Sequence, residues 1–239
     1  MSPLLRILCI LATTVGISVS LTDPNPLPPL SQEQRTPPMN LGRYLRIVVS
    51  KLPYIKVEYY LAGAAEIATL IAARLPSSDT ARWILSVLSK MGAVTNLRLT
   101  PLSTVGMILI ISGSLLRVHC FRTMGRFFTF KIGLRDNHQL VTWGPYSVVR
   151  HPSYTGVFGM YIGIVLWYGS PGSWVRESGL LETVLGKAII GSFATVIMVS
   201  LVAVTRRTWE EDKLLSSAFG EKWDEWARRV PYRLIPGIF

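Results

Sequence analysis

The sequence predicts an all-α membrane protein: a polytopic bundle of about five transmembrane helices, with a sixth candidate span. Three observations carry that expectation. Of the 239 residues, 49% are hydrophobic and only 16% are charged, whereas soluble domains carry about 25% charged residues. Several apolar stretches approach the ~20 residues that a spanning helix needs. The Lys and Arg residues lie between those stretches, as they do in the cytosolic loops of membrane proteins. The mean hydropathy is +0.37. The net charge of +11 therefore does not point to nucleic acid, and no recognition module accompanies it. No G-x-G-x-x-G follows a strand signal and strands do not alternate with helices, so no Rossmann domain is expected.

The elements follow in chain order. Leu4 to Leu21 is apolar behind Arg6, with small residues near Ser18 and Ser20. This describes either a retained anchor or a cleavable signal, and the anchor is the favoured reading. Residues 22–38 are rich in Pro and polar residues and read as a loop of polyproline character. Tyr59 to Leu75, Pro101 to Val118 and Val184 to Val204 read as spans, and Tyr154 to Ser170 as a shorter one rich in Gly and aromatics. Trp83 to Leu99 is weaker. It holds Lys90, Asn96 and Arg98 and suits an interfacial helix. Gly156, Gly159 and Gly163 fall near one helical face, a pattern that first suggests close helix packing and is compatible with a ligand approaching the backbone.

Topology follows from charge. Arg122, Arg126, Lys131, Arg135 and Arg150 stand against Asp136 alone in the loop between Val118 and Tyr154. This most basic loop is expected in the cytosol. One further pair of crossings returns the C-terminal tail to the same side. Cys9 and Cys120 have neither CxxC spacing nor a His/Cys cluster, and the histidines are His119, His138 and His151. Neither a disulfide framework nor a metal site is expected.

Two polar stretches flank the last spans. The first, Leu140 to Gly156, reads LVTWGPYSVVRHPSYTG. Gly144-Pro145 is a turn signal. Pro152 suits the first turn of a helix and biases His151 toward an extended backbone. Arg150, His151 and Tyr154 then sit at the membrane boundary, either as ordinary interfacial anchors or as parts of a site. The second stretch, Arg206 to Leu215, reads RRTWEEDKLL. Arg207 and Glu211 are four apart and share a helical face. A solvated charge run explains them alone; two polar half-sites on one membrane face argue for more.

Together, GPYSVVRHPSYTG and EEDKLLSSAFGEKWDEWARRVPYRLIPGIF resemble the isoprenylcysteine carboxyl methyltransferase family, over roughly Arg117 to Phe239. The tail pattern recurs as Phe219-Gly220, Trp223, Trp226 and Val230-Pro231. Trp209 stands where relatives can carry an acidic residue, but Glu210 and Glu211 are intact. The resemblance implies an endoplasmic reticulum membrane enzyme, with its donor site and C-terminus cytosolic. Such an enzyme methylates the C-terminal carboxylate of prenylated cysteine, on small GTPases or similar lipidated proteins, from S-adenosylmethionine and without a metal. It implies that residues 1–100 are an N-terminal membrane region and 101–239 the methyltransferase core. By the same resemblance Lys131, His138, Gln139, Leu140, Val141, Tyr146, His151, Pro152, Ser153, Tyr154 and Glu211 hold the donor, and Arg207 holds the substrate carboxylate.

A carboxylate nucleophile is already ionised at neutral pH, with an α-carboxyl pKa of about 3.3–3.7. The residues are then needed for alignment and water exclusion more than for acid–base work. Three alternatives stay open. They are a phosphatidylethanolamine N-methyltransferase, a reductase of related fold using NADPH, and a non-enzymatic membrane scaffold or transporter subunit, for which Glu66 is the one clear acid within a span, although one buried acid more often pairs with a neighbouring helix.

Overall fold

The computed structural model describes residues 2–25, 40–90, 93–130 and 133–238. Among these, every regular element is helical. In chain order they are α1 (Pro3–Ser20), α2 (Asn40–Ala72), α3 (Asp79–Leu88), α4 (Ala93–Asn96), α5 (Pro101–Met124), α6 (Pro152–Gly169), α7 (Trp174–Glu177), α8 (Val184–Phe219) and α9 (Glu221–Arg229), with short 3-10 turns at Gly125–Phe127, Gly144–Ser147 and Leu180–Glu182. Most of the Pro-rich loop lies outside the described residues.

Among the described residues, three helices are long and apolar enough to cross a membrane: Pro3–Ser20, Pro101–Phe127 and Val184–Phe219. Two other expected spans also fold as helices, within α2 and α6, but fall short in apolarity. Lys56, Glu58 and Glu66 dilute α2, and glycines with Tyr154, Tyr161 and Tyr168 dilute α6. Trp83 to Leu99 is no single helix. Ser78 caps α3 by accepting a hydrogen bond from the Ala81 N–H at 3.4 Å. That helix ends at Leu88, and α4 is a separate single turn.

At 1.5 Å per residue the 36 residues of α8 extend ~54 Å, well beyond the ~30 Å hydrocarbon layer. Its last turns therefore project past the bilayer as the expected helical extension. Gly220, at φ +52°, breaks the chain before α9.

The chain forms two compact units. The first contains residues 1–18, 53–112 and 159–197 and the second 19–52, 113–158 and 198–239. In the first unit, Arg6 of α1 pairs with Glu66 of α2, both almost fully buried. Tyr59 packs edge-on to Phe193 at 5.1 Å between ring centroids. In the second unit, Arg117 of α5 donates to the Ser20 carbonyl at 3.0 and 2.8 Å. Its other arm reaches Ser153, at 3.0 Å to the hydroxyl and 3.2 Å to the carbonyl.

The glycine face of α6 is a packing face in each unit. A Cβ on Gly163 would sit 2.6 Å from the Gly106 carbonyl oxygen and 2.8 Å from the Ile110 nitrogen. One on Gly156 would sit 2.7 Å from the Gly113 oxygen. One on Gly159 would make only an ordinary contact at 3.9 Å. Backbone cannot yield as a flexible side chain can. We therefore expect Gly163→Ala to destabilise the protein by about 1–3 kcal/mol and Gly159→Ala to be near neutral. Thermal unfolding of the two variants in the same detergent checks this.

Candidate active site

The second unit holds the residues that the sequence nominates, apart from Lys131, which lies outside the described residues. Gly144, at φ +62°, turns the chain into the Gly144–Ser147 3-10 turn, with Pro145 in its first turn. The expected turn is thus formed where only glycine is comfortable. Cys120, Val141, Tyr146, Trp226 and Val230 pack into one buried cluster, and the Trp226 indole N–H donates to the Tyr146 carbonyl at 3.2 Å. This fastens α9 to the loop before α6.

The chain then passes through Arg150 and His151, whose N–H groups donate to the carbonyls of Tyr232 and Arg233 at 2.9 and 2.8 Å. Pro152 opens α6, and the His151 carbonyl accepts from Tyr154 N–H at 3.0 Å. Proline has no N–H to lose at this position. The imidazole of His151 is thereby held at the mouth of the helix, stacked on Tyr154 at 5.6 Å and 17°.

Five side chains, from α8, α6 and this loop, form a connected polar group. Glu211 accepts from the Tyr154 hydroxyl at 2.6 Å and from Arg207 Nε at 2.7 Å. Its other oxygen lies 3.4 Å from His151 Nδ1. The opposite ring nitrogen, Nε2, is 2.9 Å from Asp212 Oδ1. Arg207 is 5% exposed. Its remaining arms donate to the carbonyls of Phe130 and Thr129, and its guanidinium lies over the Tyr154 ring at 5.6 Å.

His151 is buried between two carboxylates. Burial alone disfavours the imidazolium, but hydrogen bonds to Asp212 and Glu211, and the fields of both, outweigh it and raise the pKa above 6.5. The two carboxylates thus favour the charged form of the ring, in which both nitrogens donate. Loop residue His138 goes the other way: burial, then the nearby Arg135, lower its pKa. A raised folded pKa stabilises fully below the unfolded value and is lost as pH climbs through the folded one. We expect the thermal midpoint to fall as pH rises above about 6.5, and His151→Gln to lose that component. Unfolding scans between pH 6 and 9 check it.

A cleft enclosing about 790 Å³, open mouth included, lies beside this group. Its walls include His138, Gln139, Leu140, Val141, Tyr146, His151, Ser153, Tyr154 and Glu211. Phe127, Phe128 and Trp226 add aromatic faces. Of the other residues that the sequence nominates, Pro152 is fully buried at the α6 start and is not in the wall. Arg207 stands directly behind Glu211 and Tyr154, both of which are. Lys131 lies outside the described residues.

Comparison with known proteins accords with this geometry. Residues 102–177 match the phospholipid methyltransferase family model. Protein-S-isoprenylcysteine O-methyltransferase B of Arabidopsis thaliana is 32% identical over 132 residues, which cover 54% of this chain and 57% of that one. The Homo sapiens protein-S-isoprenylcysteine O-methyltransferase is 32% identical over 146 residues, 59% of this chain and 44% of its own. A probable enzyme of the same name in Oryza sativa subsp. indica is 29% identical over 130 residues. The chain resembles the isoprenylcysteine methyltransferases. It spans about half the length of the relatives it matches.

Residues that the sequence did not single out complete the site. Asp212 reads as one more charge in the Glu-Glu-Asp run, yet it is 4–5% exposed and holds His151, Arg150 at 3.0 Å and Arg233 at 2.8 Å. Its position one residue after Glu211 was the available signal. Arg117 and Arg233 carried none, because their partners are distant in the chain.

Proposed function

We propose that this chain transfers a methyl group from S-adenosylmethionine to the C-terminal carboxylate of a prenylated cysteine; its relatives are named as O-methyltransferases of protein S-isoprenylcysteine. The observation that carries the reading is that Glu211, Tyr154 and His151 line an aromatic-walled cleft and Arg207 is bonded to Glu211 directly behind them. The cleft suits the donor. Aromatic and aliphatic walls accept an adenine face, and Glu211 is a buried anion of the kind an ammonium or ribose hydroxyls require. S-adenosylmethionine, when bound, supplies an electrophilic methyl on a sulfonium, a good leaving group.

The residues then have defined tasks. His138 to Val141, Tyr146, His151, Ser153 and Tyr154 bind and orient the donor, with Pro152 fixing the backbone that presents them. Arg207 takes the substrate carboxylate. Its guanidinium now bonds the neutral carbonyls of 129 and 130, and exchanging them for a carboxylate makes charge-assisted, planar contacts that are stronger. Burial removes the water that would otherwise solvate the nucleophile, and alignment in such a site contributes on the order of 7–11 kcal/mol.

A prenyl chain prefers lipid, at about 0.8 kcal/mol per CH₂, so the acceptor enters from the bilayer and the donor from the cytosol. We assign the protein to the endoplasmic reticulum membrane with the cleft and C-terminus cytosolic, residues 101–239 forming the core. Its acceptors are prenylated proteins such as small GTPases.

A second reading has one observation behind it: the matching family model is that of phospholipid methyltransferases, which favours a phosphatidylethanolamine amine as acceptor. That amine must shed a proton to a free carboxylate. Glu211 is instead engaged by Arg207, Tyr154 and His151, which favours the carboxylate acceptor. Membranes containing the protein, given labelled S-adenosylmethionine and N-acetyl-S-farnesylcysteine, should yield base-labile methyl ester. Label in phosphatidylethanolamine and none in the ester would transfer the assignment to the second reading.

A further inference from the structure

Asp212 is absent from the cleft wall, yet it is engaged by three side chains beside it. One oxygen meets His151 Nε2 at 2.9 Å. The other lies 3.0 Å from the Arg150 guanidinium and accepts from Arg233 Nε at 2.8 Å. Arg233 belongs to the C-terminal tail, and lies over the Trp209 ring at 5.0 Å.

The same tail holds the loop by its backbone. Tyr232 and Arg233 carbonyls accept the N–H groups of Arg150 and His151. Leu234 accepts from the Thr155 hydroxyl at 2.6 Å, and Pro231 from the Arg150 side chain at 3.1 Å. Val230 and Leu234 anchor this clasp, each 5% exposed. Backbone and side chain thus converge on one ring.

We propose that Asp212 and Arg233 are positioning residues that fix the ring and the protonation of His151 against the donor cleft, so that the C-terminal tail sets donor affinity. The inference rests on the cleft being the donor site. An imidazole donating one N–H to a fixed carboxylate has a single orientation and holds its other N–H toward Glu211. Each element packed on His151 contributes a group: Glu211 and Asp212 from α8, with Arg207 behind Glu211; Tyr154 from α6; Arg150 from its own loop; and Arg233 from the tail. The two carboxylates favour the imidazolium. Arg150 and Arg233 are held off the ring by Asp212 and keep that carboxylate in place. Losing Asp212 leaves Glu211 alone to favour the charged ring, so His151 should deprotonate at lower pH.

The test uses the full chain in lipid nanodiscs. S-adenosylhomocysteine binding is measured by calorimetry between pH 6 and 9, beside KM values for both substrates. Asp212→Asn should weaken binding about tenfold at pH 8 and move the alkaline limb down by about one unit, a shift equivalent to that tenfold factor. KM for N-acetyl-S-farnesylcysteine should stay within about twofold. Arg233→Ala should move the limb in the same direction by less, and Asp212→Glu should restore it. An Asp212→Asn protein with the wild-type pH profile overturns the proposal. So does equal loss of donor and acceptor affinity without recovery in Asp212→Glu, which marks a merely structural contact. A folded wild type that binds no S-adenosylhomocysteine instead overturns the donor reading of the cleft, and this proposal with it.

Discussion

Replacing Arg207 by alanine is expected to lower kcat/KM for methyl transfer to N-acetyl-S-farnesylcysteine by about 100- to 1,000-fold, the usual cost of one preorganised donor aimed at the reacting oxygens. The expectation comes from placement. Arg207 is buried on α8, one helical turn before Glu211, with its planar fork closed by two backbone carbonyls. Its guanidinium stands directly behind the Glu211 and Tyr154 walls of the cleft, where an acceptor carboxylate would meet it. The alanine variant also strips a partner from Glu211, so a fall in activity alone would mix two effects. Arg207→Lys separates them. It keeps the charge near Glu211 but gives up the bidentate geometry, and should show a raised KM for the prenylcysteine with S-adenosylhomocysteine affinity nearly retained. Wild-type kcat/KM in a folded Arg207→Ala protein would remove Arg207 from the reaction.

The second large effect is on stability. Glu66→Ala should destabilise the protein by about 3–5 kcal/mol, because it leaves Arg6 buried without its counter-charge. Arg6 is 2% and Glu66 1% exposed, and the Arg6 guanidinium also lies over Trp167 at 5.8 Å. Removing both charges is a different matter. Arg6→Met combined with Glu66→Leu should recover most of the loss, since a buried ion pair replaced by apolar groups of similar volume is often neutral. Thermal unfolding of the two single variants and the double variant in one detergent gives the coupling. Additive losses would mean that the pair is not what holds these two helices.

The local chemistry of the site was legible in the chain. Gly144-Pro145 announces a turn, Pro152 a helix start, and Arg207 and Glu211 a shared face, because each depends on backbone conformation or on a spacing of four residues. The motif order was enough to bring the His151 loop and the α8 extension into one hypothesis, and the structure joins them through Glu211. The helical class was equally legible, since in lipid only internally bonded backbone is stable. Span number was less so: the stretches in α2 and α6 fold as helices but are not apolar enough to count among the three candidates, because glycines and polar-tipped aromatics suit packing against protein as well as lipid.

What the sequence by itself determined, then, is what short-range rules govern: helices, their start signals, the membrane class and the nominated polar residues. Only the tertiary structure decided which charges meet. Glu66 takes Arg6, sixty residues away; Arg117 takes Ser20 and Ser153; Asp212 takes His151 and Arg233. No period or spacing encodes such pairs. They form because a buried charge must find a counter-charge or a hydrogen bond, and folding sets which one lies within reach.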